Sequence, residues 1–211
     1  CRRYLTVGPA PMTRISQSLV AGVDEAGRGP LAGPVVAAAV VLPPSYHGDL
    51  IADSKTLSSR RREQANRLIR SNALSWSIGA ASVREIDKHN IHQATLIAMR
   101  RAVLGLHPCP DFVVVDGRFL PDVPYPGKAL VRADATESPV SAASILAKVF
   151  RDHYMICLGR KYPQYGFSQH KGYPTPMHLD ALKSFGPCPE HRRSFSPVAQ
   201  VLGTEPKANP A

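Results

Sequence analysis

The sequence predicts an α/β domain: a five-stranded sheet of mixed direction, flanked by helices, with a helical extension at the C-terminal end. Two observations carry that expectation. Short β-branched apolar runs of strand length alternate with longer stretches of helical spacing, and no internal repeat or low-complexity block interrupts them. The first three strands can be linked antiparallel, whereas a long helical stretch precedes the fourth and supplies a crossover.

The elements follow in order. Leu19 to Asp24 and Val35 to Leu42 are apolar, β-branched and joined by a glycine-proline turn, so they read as a hairpin-like pair. Ser58 to Asn72, SSRRREQANRLIRSN, has too few apolar positions for a core helix and reads as a surface helix with a basic face. Trp76 to Val83 is the third strand. Val83 to Leu106 sets Ile86, Ile91, Leu96, Ile97, Met99, Val103 and Leu104 at helical spacing, in two pieces. Phe112 to Val115 is a short buried strand ending in Asp116-Gly117, and Ala129 to Arg132 is a further strand leading to Asp134. Ser141 to Lys161 is strongly helical, with Ala and Ser positions that allow close packing on a sheet, and Thr175 to Phe185 is a shorter helix. Residues 1–17 lack any period and read as a flexible arm in which Met12 is a candidate start of translation. Residues 18–202 form the domain, and 203–211 read as a flexible tail.

A chain of 211 residues with 44% hydrophobic content can bury one sizeable core, which excludes a disordered or fibrous protein. Its 26 Lys and Arg against 16 Asp and Glu give a net charge of +10, which favours a polyanionic partner: nucleic acid or an anionic membrane surface. The longest apolar run, Val35 to Leu42, is too short to span a bilayer, and the N-terminus lacks the layout of a signal peptide, so the expected location is the cytoplasm. Cys1, Cys109, Cys157 and Cys188 are scattered without CxxC spacing, as suits reduced thiols. A zinc site from His107-x-Cys109 and Cys188-x-x-His191 is disfavoured because both pairs sit among prolines.

The chemistry concentrates around VDEAGRGPLAGP, residues 23–34, where two adjacent carboxylates meet a glycine turn. Gly27-x-Gly29-x-x-Ala32 fits a loose dinucleotide fingerprint, but Pro30 and Pro34 oppose the helix that should follow, and an apolar strand comes next. No Gly-Lys-Ser/Thr follows either, so a Walker phosphate loop also fails. What remains is a tight turn whose N–H groups can approach a ligand closely. Asp24 and Glu25 end the first strand, Asp116 ends the fourth and Asp134 follows the fifth, so a sheet that aligns these ends gathers four acids. Unpaired, they repel one another. Hard oxygen ligands suit Mg²⁺ or Mn²⁺, and two such ions serve phosphodiester hydrolysis.

Taken together, DEAGRGPLAGPV, Asp53-Ser54-Lys55, VVVDG, SAASILAKVFRD, YPQYGFSQHKGYPT and HRRSF resemble, in order and from about Val20 to Val198, the bacterial ribonuclease HII family, the type 2 ribonucleases H. That resemblance implies a ribonuclease H-like fold with a C-terminal helical extension. It implies an endoribonuclease that cuts the RNA strand of RNA–DNA hybrids and single ribonucleotides embedded in duplex DNA. Cleavage would fall on the 5′ side of the ribonucleotide and leave a 3′-hydroxyl and a 5′-phosphate, by two-metal-ion hydrolysis with Mg²⁺ or Mn²⁺. Carried over, it makes Asp24, Glu25, Asp116 and Asp134 the catalytic, metal-binding acids. Gly27, Arg28 and Gly29 match the turn that senses the ribose 2′-hydroxyl through backbone groups, Tyr173 matches the tyrosine that completes that site, and Lys55 and Lys148 match basic positions near the bound strand. The family's fourth acid usually follows a glycine. Here Arg132-Ala133-Asp134 stands instead, and Asp152 is the alternative. The expected partner is an RNA–DNA hybrid or ribonucleotide-containing duplex, bound by a monomer without a membrane. Two other readings are a metal-dependent DNA nuclease or resolvase, which would not depend on ribose, and a hybrid-binding module without catalysis.

Overall fold

The computed structural model describes residues 18–44, 46 and 57–204. The expected arm at 1–17, the Asp53-Ser54-Lys55 motif with Lys55, and all but the start of the expected tail lie outside the described residues.

Strand β1 (Val20–Ala26) pairs antiparallel with β2 (Val35–Val41), setting Asp24 opposite Ala38. Every residue of β2 is buried, because both faces of the sheet are covered there. Val35, Ala37, Ala39 and Val41 pack on one side, while Val36, Ala38 and Val40 pack on the other. That is why this stretch reads as a continuous apolar run rather than an alternating one. Helix α1 (Ser59–Asn72) lies on the second side through Ala65 and Ile69, and the arginines of SSRRREQANRLIR leave it a surface helix, as expected.

Strand β3 (Ser75–Ala81) ends two residues before the expected limit because Ser82 caps the next helix. The Ser82 hydroxyl accepts from the Glu85 N–H while the Glu85 carboxylate accepts from the Ser82 N–H. Helix α2 (Val83–Leu104) is two pieces broken at Asn90, whose φ of 69° leaves the helical region and whose Oδ1 accepts from the Gln93 N–H at 3.0 Å. It runs across β3 so closely that a Cβ on Gly79 would stand 2.1 Å from the Ala98 carbonyl oxygen.

Strand β4 (Phe112–Asp116) lies parallel to β1, and β5 (Gly127–Leu130) parallel to β4, giving the order β3-β2-β1-β4-β5. The fifth strand sits two residues earlier than expected, because Arg132 takes a left-handed conformation (φ 62°) that turns the chain into a 3-10 turn at Ala133–Ala135. Helix α3 (Ser138–Lys161) starts three residues early, since Pro139 is welcome in a first turn, where its missing N–H costs nothing. Its Ala142, Ala143, Ile145, Leu146 and Ala147 bury against the sheet.

The C-terminal part holds α4 (Phe167–His170), α5 (Pro176–Phe185) and α6 (Ser196–Val201). Sequence periodicity located α5 alone; α4 and α6, at 4 and 6 residues, are too short to show a helical period. Its Tyr165, Phe167 and Ala181 pack with Met155 and Leu158 of α3 and with Ala32, and so onto the glycine turn between β1 and β2. Among the described residues no helix is long and apolar enough to cross a membrane.

Candidate active site

The acids stand where the sheet topology brings strand ends together. Val23 of β1 pairs with Val115 of β4, so Asp24 and Asp116 are each one residue past the last pair of that parallel ladder. Strand alternation sends Asp24 to the α3 side, where it is 6% exposed and the Ser144 hydroxyl bonds it. Burial, with Glu25 and then Asp116 as negative neighbours, pushes the Asp24 carboxyl well above the usual carboxylate range against the pull of Ser144 and the Glu25 N–H. Burial also raises Glu25, with Asp116 adding to it, although Arg28 Nη1 stands 3.3 Å from Glu25 Oε1. Glu25 Oε2 is buried with no hydrogen-bond partner among the described residues. Asp116 Oδ1 accepts from the Ala133 N–H at 2.8 Å, which ties the end of β4 to the turn carrying the buried Asp134. Ala133 stands directly before Asp134, and Arg132 takes the left-handed conformation two residues ahead of the acid. Asp152, the alternative acid, accepts from Lys148 Nζ at 2.8 Å, one helical turn away.

Two openings meet at Glu25. One, a cavity of about 270 Å³, is lined by Glu25, Gly27, Arg62, Lys148, Arg151 and Tyr173. The other, of about 470 Å³, is lined by Glu25, Arg28, His92, Asp116, Arg118 and Phe119 among others. Carboxylates and cations thus share the walls of one groove.

The glycine turn is held from behind. Gly27 needs to be glycine: its φ is 96°, and a Cβ there would lie 2.0 Å from Arg151 Nε. Gly29 does not share that constraint. Its φ lies outside the left-handed range, and a Cβ would meet only Tyr173 Cε1, at 3.7 Å. Glycine is therefore required at Gly27 and not at Gly29, whose exposed face is open. Among the described residues the N–H groups of Gly27, Arg28 and Gly29 have no backbone partner, while the Gly27 and Arg28 carbonyls are taken by Arg192 at 2.6 and 2.9 Å. Tyr173, 43% exposed, stands beside Gly29.

Sequence reasoning missed the two arginines that hold this turn. Arg151 and Arg192 are fully buried and, among the described residues, form no ion pair; both spend their N–H groups on carbonyl oxygens, of Ala32, Pro34 and Lys171 for Arg151. Burial and the Arg151 charge pull the Arg192 guanidinium down to about 9. Arg192 lay in HRRSF and Arg151 in SAASILAKVFRD, but a charged residue in a charged run carries no local signal of burial. The buried pair His178 and His191 is likewise invisible in sequence, and the Cys188-x-x-His191 pair closes on His178 rather than on His107 and Cys109.

Acids at the adjoining ends of two parallel central strands, on a mixed five-stranded sheet with helices on both faces, define a ribonuclease H-like hydrolase. The family model described as Ribonuclease HII matches residues 21–198. The chain belongs to the ribonuclease HII family. It is 59% identical over 184 residues to the ribonuclease HII of Acidovorax sp. (strain JS42), covering 87% of this chain and 88% of that protein. It is 55% identical over 194 residues to the ribonuclease HII of Verminephrobacter eiseniae (strain EF01-2), covering 92% and 93%. Among solved structures it is similar to the ribonuclease H2 from Pyrococcus horikoshii OT3, with a TM-score of 0.74, 29% identity, and coverage of 86% of this chain and 96% of that one. It is thus an endoribonuclease acting on the RNA strand of RNA–DNA hybrids, of a family dependent on divalent metal.

The donor set fits such an ion by chemistry. It offers oxygens alone, one of them the unpartnered Glu25 Oε2, and the mutual repulsion of Asp24, Glu25 and Asp116 is what a hard cation relieves. Among the described residues no group of three His, Cys, Asp or Glu side chains is set to hold an ion.

Proposed function

We propose that this protein cleaves on the 5′ side of a ribonucleotide, in hybrids and at single ribonucleotides within duplex DNA, leaving a 3′-hydroxyl and a 5′-phosphate. The observation that carries this reading is the position of Glu25, shared between the acid cluster with Asp116 and the opening lined by Gly27, Lys148 and Tyr173. Chemistry and ribose recognition are thereby adjacent.

Asp24, Glu25, Asp116 and Asp134 would hold Mg²⁺ or Mn²⁺, two ions in all. Bound there, the ions supply an activated water and steady the leaving oxygen. The chain does the rest. The N–H groups at Arg28 and Gly29, without a backbone partner among the described residues, would face the 2′-hydroxyl, the one group that separates RNA from DNA at a single position, and the Tyr173 ring would back the sugar beside Gly29. Lys148, Arg62 and Arg28 flank the acids and donate to the phosphates on either side of the cut, and Lys55, outside the described residues, is assigned to the bound strand by the family resemblance alone. The protein acts as a monomer, with residues 18–202 as its catalytic unit.

The test is a labelled DNA duplex carrying one ribonucleotide, incubated with Mg²⁺ or Mn²⁺, with the cut mapped to the nucleotide. The expected product is a single nick 5′ to the ribonucleotide, absent from the all-deoxy duplex and lost in Asp116→Asn. Cleavage of both duplexes would favour a general DNA nuclease, and tight binding without any cleavage would favour a non-catalytic module.

A further inference from the structure

Arg192 and the His191–His178 pair have no part in hydrolysis as described, yet they converge on the backbone of both halves of the ribose reader. Segment 188–192 runs antiparallel beside residues 31–33, with the Gly33 N–H donating to the Glu190 carbonyl and the Arg192 N–H to the Leu31 carbonyl, both at 2.8 Å. From it the Arg192 guanidinium reaches four carbonyls. Nη2 donates to Gly27 at 2.6 Å and Pro34 at 3.2 Å, Nη1 to Arg28 at 2.9 Å, and Nε to Gly33 at 3.0 Å. These bonds hold the carbonyls of Gly27 and Arg28 on a buried guanidinium, while among the described residues the N–H groups of Gly27, Arg28 and Gly29 have no backbone partner.

His191 reaches the other half. The Cys188 N–H, which can only donate, gives its proton to His191 Nδ1 at 3.0 Å, so the proton of neutral His191 sits on Nε2. That Nε2–H donates to His178 Nε2 at 3.0 Å, and His178 Nδ1–H donates to the Tyr173 carbonyl, which can only accept, at 2.9 Å. Every link has one proton and one direction. The segment is anchored beyond, where Asp87 of α2 accepts from the N–H groups of Arg193 and Ser194 at 3.1 and 2.9 Å.

We propose that this segment is a clip that sets the spacing of the reader, with Arg192, His191 and His178 as positioning residues that decide discrimination between a ribonucleotide and a deoxyribonucleotide. The inference rests on the assignment of Gly27–Gly29 and Tyr173 as the reader. A guanidinium buried without an ion pair is costly where packing alone is required. Its planar fork spans four carbonyls in a way that the point charge of a lysine cannot.

The test compares affinities for a duplex carrying one ribonucleotide and for the same duplex in all-deoxy form, with Ca²⁺ present and cleavage excluded by gel. The wild type binds the ribonucleotide form more tightly. Arg192→Lys, which keeps the charge and loses the fork, lowers that preference about tenfold, as befits lost bonds to a charged group, and leaves all-deoxy affinity within about twofold. His178→Leu lowers it by a smaller factor and, should Arg192→Lys fail to fold, decides the matter alone. A folded variant that keeps the full preference overturns the inference, as does an equal loss of affinity for both duplexes, which is what a merely structural role produces. A wild type that binds both duplexes equally removes the reader itself, and the clip with it, and is recognised without any variant.

Discussion

Asp24 is a carboxylate pressed into the sheet against α3 with two negative neighbours, so its ionisation is opposed by its surroundings. Asp24→Asn keeps the shape and can still accept the Glu25 N–H now received by Asp24 Oδ1 at 2.7 Å. It should therefore raise the melting temperature in chelator at neutral pH, by at least the roughly 2 °C that 1 kcal/mol makes in a chain of this size, while abolishing cleavage. Thermal melts in EDTA check the first half and the ribonucleotide assay the second. The glycine turn divides in the same manner between stability and function. Gly27→Ala must displace Arg151 and adopt an unfavourable φ, and should cost about 3 kcal/mol or more; Gly29→Ala meets only the edge of Tyr173 and should stay within about 0.5 kcal/mol. Gly29→Ala should nonetheless slow cutting at a ribonucleotide, since its methyl group occupies the surface where the sugar approaches; paired denaturation and cleavage measurements separate the two.

At the scale of elements, β3 and α2 were legible apart and not together. The strand is visible in Trp76 to Val83 and the helix in its apolar spacing, yet Gly79 reads in sequence merely as a weak point in a strand. Its reason is the backbone of α2, with the Ala98 carbonyl 2.1 Å and the Ala102 N–H nitrogen 2.5 Å from where a Cβ would stand. Gly79→Ala should thus cost about 3 kcal/mol or more in chemical denaturation, far beyond the tenths expected from strand preference, because neither partner is a side chain that can rotate away. The break at Asn90 belongs to the same scale. Asn90, at φ 69° and ψ 168°, takes a conformation that residues with a side chain rarely adopt, and it caps the second piece through its own side chain, in keeping with the two helical pieces that the apolar spacing predicts.

At the scale of the molecule, pH acts through groups that fold far from where they lie in sequence. Burial holds His191 down to about 4, so it is neutral in the native state at pH 6, and burial likewise lowers His178. The unfolded chain protonates them near pH 6.5, and between that value and about 4 it binds protons that the native state refuses. Stability is therefore intact above about pH 6.5 and falls as the pH drops, by up to about 3 kcal/mol from His191 alone. The raised acids oppose this, since Asp24 and Glu25 gain native-state stability on protonation as the pH falls. The loss should consequently be steeper in Asp24→Asn than in the wild type, which denaturant midpoints from pH 7 to 5 would show; a parallel pair of curves would count against the opposed titrations.

What the sequence determined by itself was whatever repeats locally, the five strands and four longest helices from periodicity; the places at strand ends made the acids candidates, and the charge balance favoured a polyanionic partner. Strand limits at Ala81 and Leu130 slipped by two residues because a cap at Ser82 and a left-handed Arg132 outrank apolar content at an element's end. Tertiary structure alone decided which residues stand behind the turn. Arg151, Arg192, His178 and His191 are polar, and polar residues read as surface until something far along the chain buries and satisfies them. Arg192 meets the Gly27 carbonyl across 165 positions, and burial with hydrogen bonding is a property of that meeting and of no stretch that either residue occupies.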